Sequence, residues 1–159
     1  MDNSQLLKIA QAYGTPSFVF DTVMLESRMR EIKQIVGENV HLCYSIKANP
    51  FLLPAMARLT EKLEVCSPGE MQICMDTKVA PETVLVSGVN KTLPDILDAI
   101  DYGVRDFTAE SPLHVRLLEE AANCMKRLRA EKALSEEREA VERVAMKHYG
   151  DKLRRVALN

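Results

Sequence analysis

The sequence predicts an α/β fold: a partial (β/α)8 barrel of TIM type, with about six βα strands, all parallel. Three observations predict it. Short β-branched or aromatic runs alternate with amphipathic stretches along the 159 residues. Helices of about three turns between strands are what right-handed crossovers into a parallel sheet require. The stretch after the first run, "DTVMLES", lacks the GxGxxG turn that would open a dinucleotide-binding doubly wound sheet. Hydrophobic residues at 47 % and charged ones at 28 % suit one sizeable core.

An amphipathic prelude over residues 5–12 comes first. The run "SFVFD", residues 17–21, follows Gly14, Thr15 and Pro16 and reads as the first strand. A helix capped by Asp21 or Thr22 then carries Val23, Met24, Met29, Ile32, Ile35 and Val36 at helical spacing until Gly37. "HLCYSIKA", residues 41–48, is the second strand. The helix over residues 51–63 presents Leu52, Leu53, Met56 and Leu59 on one face and tolerates Pro54 in its first turn.

The alternation continues with strand "LEVCS" and a helix over residues 68–77, then strand "TVLVSG" and a helix over 93–102. Strand "DFTAES" leads into a fifth helix over 111–133. Charge becomes dense in "KRLRAEKALSEEREAVER", residues 126–143, whose opposite charges near i,i+4 spacing suit a solvated helix or helix pair. We read residues 126–150 as a charged helical insertion. "LRRVALN" reads as a sixth strand beginning near Arg154, and two further strand–helix units would be needed to close a barrel.

A formal charge of −2 gives no broad attraction for nucleic acid or an anionic membrane surface. A small-molecule site or a protein partner fits better. No apolar run reaches the roughly 18 residues of a membrane span, and the N-terminus lacks the charged start and apolar core of a secretion signal. Cys43, Cys66, Cys74 and Cys124 form no CxxC pair. They read as reduced thiols of a cytoplasmic protein, each a small core hydrophobe. His41, His114 and His148 are scattered, and no metal site is expected.

Lys47 ends the run "CYSIKANP". In a βα barrel the active site lies at the C-terminal ends of the strands, which makes Lys47 a candidate by position. A partly desolvated amine there would have a lowered pKa and could attack an aldehyde or ketone to form a Schiff base. A lysine snorkelling into solvent is the plainer alternative.

"CYSIKANP", "LEVCSPGEM", "VLVSGVNKT" and "DFTAES" occur in this order, one at each successive strand end. The series resembles the N-terminal barrel domain of the pyridoxal-phosphate decarboxylases of the alanine-racemase fold type, which includes diaminopimelate, ornithine and arginine decarboxylases. It runs from about Tyr13 to Leu118 and more loosely to Asn159. The resemblance implies that Lys47 holds pyridoxal 5'-phosphate as an internal aldimine. It implies that Glu64 stands beside the cofactor where the family commonly has an aspartate, and that Ser87 contributes to the same pocket. Asn49, Glu70 and Glu110 are further pocket candidates. Helix caps and strand-end turns account for Glu70, Glu110, Ser87, Gly88 and Asn90 as well.

Alanine racemases usually follow the lysine with a "YGHG"-like turn, whereas this chain has "NPFLLP", so the resemblance favours a decarboxylase. It implies a basic or dibasic amino-acid substrate, a role in lysine or polyamine biosynthesis, and a homodimer for the complete protein. The family's cofactor-stacking histidine, glycine-rich phosphate loop and C-terminal β-domain lie beyond the matched region. Residues 1–159 therefore read as the N-terminal part of the barrel domain, with little or no activity expected of the isolated chain. A noncatalytic remnant, or a pyridoxal-phosphate-binding or interaction module, is the alternative.

Overall fold

Helix starts other than that of Leu53–Leu59 lie where the sequence supplies side-chain acceptors for unpaired backbone N–H groups. The computed structural model describes the backbone of residues 1–156, and the side chains through residue 144 except 142. Helix α1 (Asn3–Tyr13) opens on a capping box in which Asp2 and Gln5 each take the other's backbone N–H. Helix α2 (Thr22–Val36) is capped by Asp21, which accepts from Val23 and Met24, and it stops at Gly37.

Strand β1 (Cys43–Ser45) passes into two 3-10 turns, Ile46–Ala48 and Pro50–Leu52, and then helix α3 (Leu53–Leu59). Strand β2 (Lys62–Val65) leads into helix α4 (Pro68–Asp76), and the 3-10 turn Pro81–Thr83 precedes strand β3 (Val84–Val86). Helix α5 (Leu93–Tyr102), strand β4 (Asp106–Phe107) and helix α6 (Pro112–Val156) complete the order. The four strands form one sheet in the order β1-β2-β3-β4, every neighbour parallel.

Two compact units divide the chain. The first comprises Met1–Gly88 and Gly103–Thr108, and the second Val89–Tyr102 and the chain from Ala109. The first holds the sheet. Ile46, Leu63, Val65 and Val84 are buried with Leu53 and Met56 of α3 and Met71 and Cys74 of α4. Side chains alternate across a strand, so Cys43, Ser45, Lys62 and Glu64 share the opposite face. At the N-terminal ends of the strands on that face, Lys62 Nζ pairs with Asp106 and donates to Glu82 O at 2.7 Å. In the second unit α5 packs against α6, with Ile96, Ala99 and Ala121 buried.

Four strands stand among the described residues where about six were expected. The run 17–21 forms no helix and pairs with no strand. Phe18 is fully exposed and Phe20 is 51 % exposed. Aromatic and β-branched composition favours a pleated surface, but a strand also needs a ladder partner for its N–H and C=O groups. The expected sixth strand is corrected at its start, where 154–156 continue α6. Its remainder, 157–159, lies outside the described residues. The expected helix at 111–133 and the charged stretch after it form a single helix, whose exposed Arg143–Glu139 pair at 3.6 Å is the i,i+4 pattern of a solvated face.

Candidate functional site

Lys47 lies in the 3-10 turn at the C-terminal end of β1. As a residue it is exposed. The next residues make a tight cap: Asn49 Oδ1 accepts from Phe51 N at 3.1 Å, and Asn49 O accepts from Tyr44 Oη at 2.9 Å. Asn49 shapes the turn after Lys47 through these bonds.

Glu64 in β2 is in register with Ser45 in β1. Ser87, just past β3 and 7 % exposed, donates from Oγ to Glu64 Oε1 at 2.6 Å. That hydroxyl, followed by Ser45, holds the Glu64 carboxyl below its ordinary range; burial opposes them, and the Lys47 charge adds a lesser lowering. Ser45 Oγ is itself enclosed, near enough to Glu64 to act on its carboxyl but outside the geometry of a hydrogen bond. Cys66 Sγ lies 3.3 Å from Ser87 Oγ. The structure thus joins Glu64 to Ser87 by a hydrogen bond and sets Cys66 against Ser87, while Lys47 lies in the turn past the end of the neighbouring strand β1.

Glu70 has a structural task at the start of α4. Its Oε2 accepts from Cys66 N at 2.8 Å while its own N–H donates to Ser67 Oγ at 3.2 Å. Gly88, with φ +134°, brings the chain so close to Cys66 that a Cβ would lie 2.5 Å from the Cys66 carbonyl oxygen. Only glycine suits that approach.

Glu110 belongs to the second unit. Its Oε1 is 3.8 Å from Lys91 Nζ, and the Lys91 side chain is 3 % exposed. His114, 4 % exposed, accepts from Glu110 N through Nδ1 at 3.2 Å and meets Val89 O through Nε2 at 3.2 Å. Sequence reasoning had left His114, Lys91 and Ser45 aside and had taken Cys66 for packing. A usable signal lay in the paired stretches "SPGE" and "SPLH", each opening a helix after a strand. Among the described residues no cluster of three His, Cys, Asp or Glu could hold a metal, and no helix is long and apolar enough to cross a membrane.

Residues 23–153 match the family described as pyridoxal-dependent decarboxylase, pyridoxal binding domain. The diaminopimelate decarboxylase of Aquifex aeolicus is 27 % identical over 124 residues, covering 77 % of this chain and 29 % of that one. That of Pseudomonas aeruginosa is 32 % identical over 120 residues, covering 74 % and 29 %. The chain therefore spans under a third of the length of these relatives. Among solved structures, the lysine/ornithine decarboxylase of Vibrio vulnificus, complexed with cadaverine, superposes with TM-score 0.64 at 19 % identity, over 74 % of this chain and 32 % of that one. This last likeness speaks for the fold alone, a partial α/β barrel.

Proposed function

The chain belongs to the pyridoxal-dependent decarboxylases through their pyridoxal binding domain, and from that premise we propose that Lys47 is the amine that carries pyridoxal phosphate. The observation behind this reading is the placement of Lys47 at the C-terminal end of β1, two residues past Ser45, which is in register with Glu64 on the neighbouring strand. An amine, a carboxylate and the enclosed, unbonded hydroxyl of Ser45 fit the aldehyde-bearing part of that cofactor. When bound, pyridoxal phosphate supplies an electron sink for cleavage of the bond to a substrate carboxylate.

The chain's own residues divide the work. Lys47 provides a nucleophilic nitrogen when neutral. Glu64 holds negative charge on the neighbouring strand. Asn49 fixes the turn that presents Lys47, and Glu70 fixes the start of α4 beneath Cys66. Glu110, held with Lys91 and His114, is a candidate for substrate contact from its own unit.

For the whole protein we propose decarboxylation of a basic or dibasic amino acid such as diaminopimelate or ornithine, by a homodimer. Residues 1–159 would be the N-terminal part of its barrel domain. Four cysteines outside any disulfide suit the reducing cytoplasm. The test is incubation of the chain with pyridoxal phosphate, borohydride reduction and peptide mapping, beside Lys47→Ala. Reduced cofactor on Lys47, lost in the variant, is expected. Cofactor spread over surface lysines, with the variant unchanged, would refute the assignment.

A further inference from the structure

The Ser87 hydroxyl carries one proton, and its two neighbours determine where that proton points. An ionised carboxylate only accepts, so the 2.6 Å contact with Glu64 Oε1 takes the Ser87 proton. The 3.3 Å contact with Cys66 Sγ then runs from thiol to hydroxyl. Backbone bonding fixes the same residue, since Ser87 N donates to Val65 O at 2.8 Å. With 7 % of its surface exposed, Ser87 turns its hydroxyl toward groups of this chain.

Glutamate has three side-chain torsions and loses considerable freedom when held in one rotamer. Without a partner the Glu64 carboxylate would sample several directions from β2. We propose that Ser87 is a positioning residue: oriented by the Cys66 thiol, its hydroxyl fixes the Glu64 carboxylate on the strand next to the one that ends at Lys47, and it does not itself touch the cofactor. This rests on the role given to Lys47 above and deepens it. A negative charge held there attracts a cationic group bound at this strand end.

Two readouts on the full chain test the proposal. The first is a 13C NMR titration of the glutamate carboxyls without cofactor, comparing wild type with Ser87→Ala and Ser87→Thr, and with Glu64→Gln to assign the resonance. The second is the yield of borohydride-trapped pyridoxal phosphate on Lys47 at limiting cofactor in the same set. Circular dichroism checks folding, and Ser87→Cys replaces the alanine variant if that fails to fold.

Glu64 should titrate at higher pH in Ser87→Ala than in wild type, with Ser87→Thr close to wild type. Trapping on Lys47 should fall about three- to tenfold in Ser87→Ala and Glu64→Gln and recover in Ser87→Thr. An unchanged Glu64 titration in Ser87→Ala overturns the proposal, as does a shifted titration with undiminished trapping. Absence of Lys47 trapping in wild type refutes the cofactor assignment and with it the positioning of charge for that cofactor; a Glu64 titration that still follows Ser87 would then leave only a structural hydrogen bond.

Discussion

His114 Nδ1 accepts the backbone N–H of Glu110 at 3.2 Å, in the same way that Glu70 Oε2 accepts that of Cys66 at 2.8 Å. Each acceptor is the third residue after a serine, and its own N–H returns to that serine's Oγ at 3.2 Å. These are variants of the capping box, one closed by a carboxylate and the other by an imidazole. Because Nδ1 accepts, Nε2 carries the proton and donates to Val89 O at 3.2 Å. His114→Ala should lower stability by about 0.5–2 kcal/mol, since it removes the cap acceptor of the Glu110 N–H and the donor to the Val89 carbonyl. His114→Gln, which keeps an acceptor for Glu110 N, should lose less. Urea unfolding of the two variants measures the difference, and equal losses would remove the capping role.

Gly88→Ala should destabilise by about 2 kcal/mol or more. The backbone has φ +134°, and an added Cβ would meet Cys66 O at 2.5 Å, backbone against backbone. Relief requires moving the end of β3 away from the turn after β2, which displaces Ser87 from Glu64. Thermal unfolding and the Glu64 carboxyl resonance should therefore change together. A variant with wild-type stability would mean that the approach relaxes freely.

How legible each part was depended on whether its cause was local. Helices α2, α4 and α5 stand within a residue or so of their sequence-based positions, because caps such as Asp21 and Ser67 and stops such as Gly37 act within a turn of chain. Strands β1 to β4 were found in order but shorter than expected, since pairing ends a strand and pairing is not local. The run 17–21 shows the limit: its composition is that of a strand, and nothing in those five residues specifies a partner. The continuity of α6 was missed because its change in composition marks solvation and not a break. The place of Lys47 just past a strand end was legible from the sequence. The Glu64–Ser87 bond, 23 residues apart in sequence, exists only through strand register.

Cys74 and Cys43 should differ in reactivity. Cys74 is fully buried, and burial, with a smaller effect of the Glu70 charge, pushes its thiol up to about 11. Cys43 is exposed, though partial desolvation and Glu64 raise its thiol as well. At pH 8 an aromatic disulfide reagent should label Cys43 in the native chain and reach Cys74 only after denaturation, as mass mapping would show. Native labelling of Cys74 at the rate of Cys43 would mean that the α4 core opens readily.

The acid limb of stability should carry the signature of Glu61. Its carboxylate pairs with Lys33 Nζ through Oε1 and accepts from Leu42 N at 2.7 Å through Oε2. Lys33 also donates to Val40 O at 3.0 Å, so the two side chains clasp the loop between α2 and β1. The Lys33 hydrogen bond, followed by that of Leu42, lowers the Glu61 pKa from 4.5 to about 2. A carboxyl depressed on folding stabilises the native state above its unfolded pKa, and the gain disappears as pH falls through the folded value. The contribution is thus whole above pH 4.5 and lost on the way to about pH 2. The Glu61 side chain is 36 % exposed, which limits the pair to about 0–1 kcal/mol. Glu61→Gln should be modestly less stable at pH 7 and converge on wild type near pH 2. Urea unfolding at a series of pH values measures both slopes, and parallel slopes over that range would show that Glu61 has no part in acid unfolding.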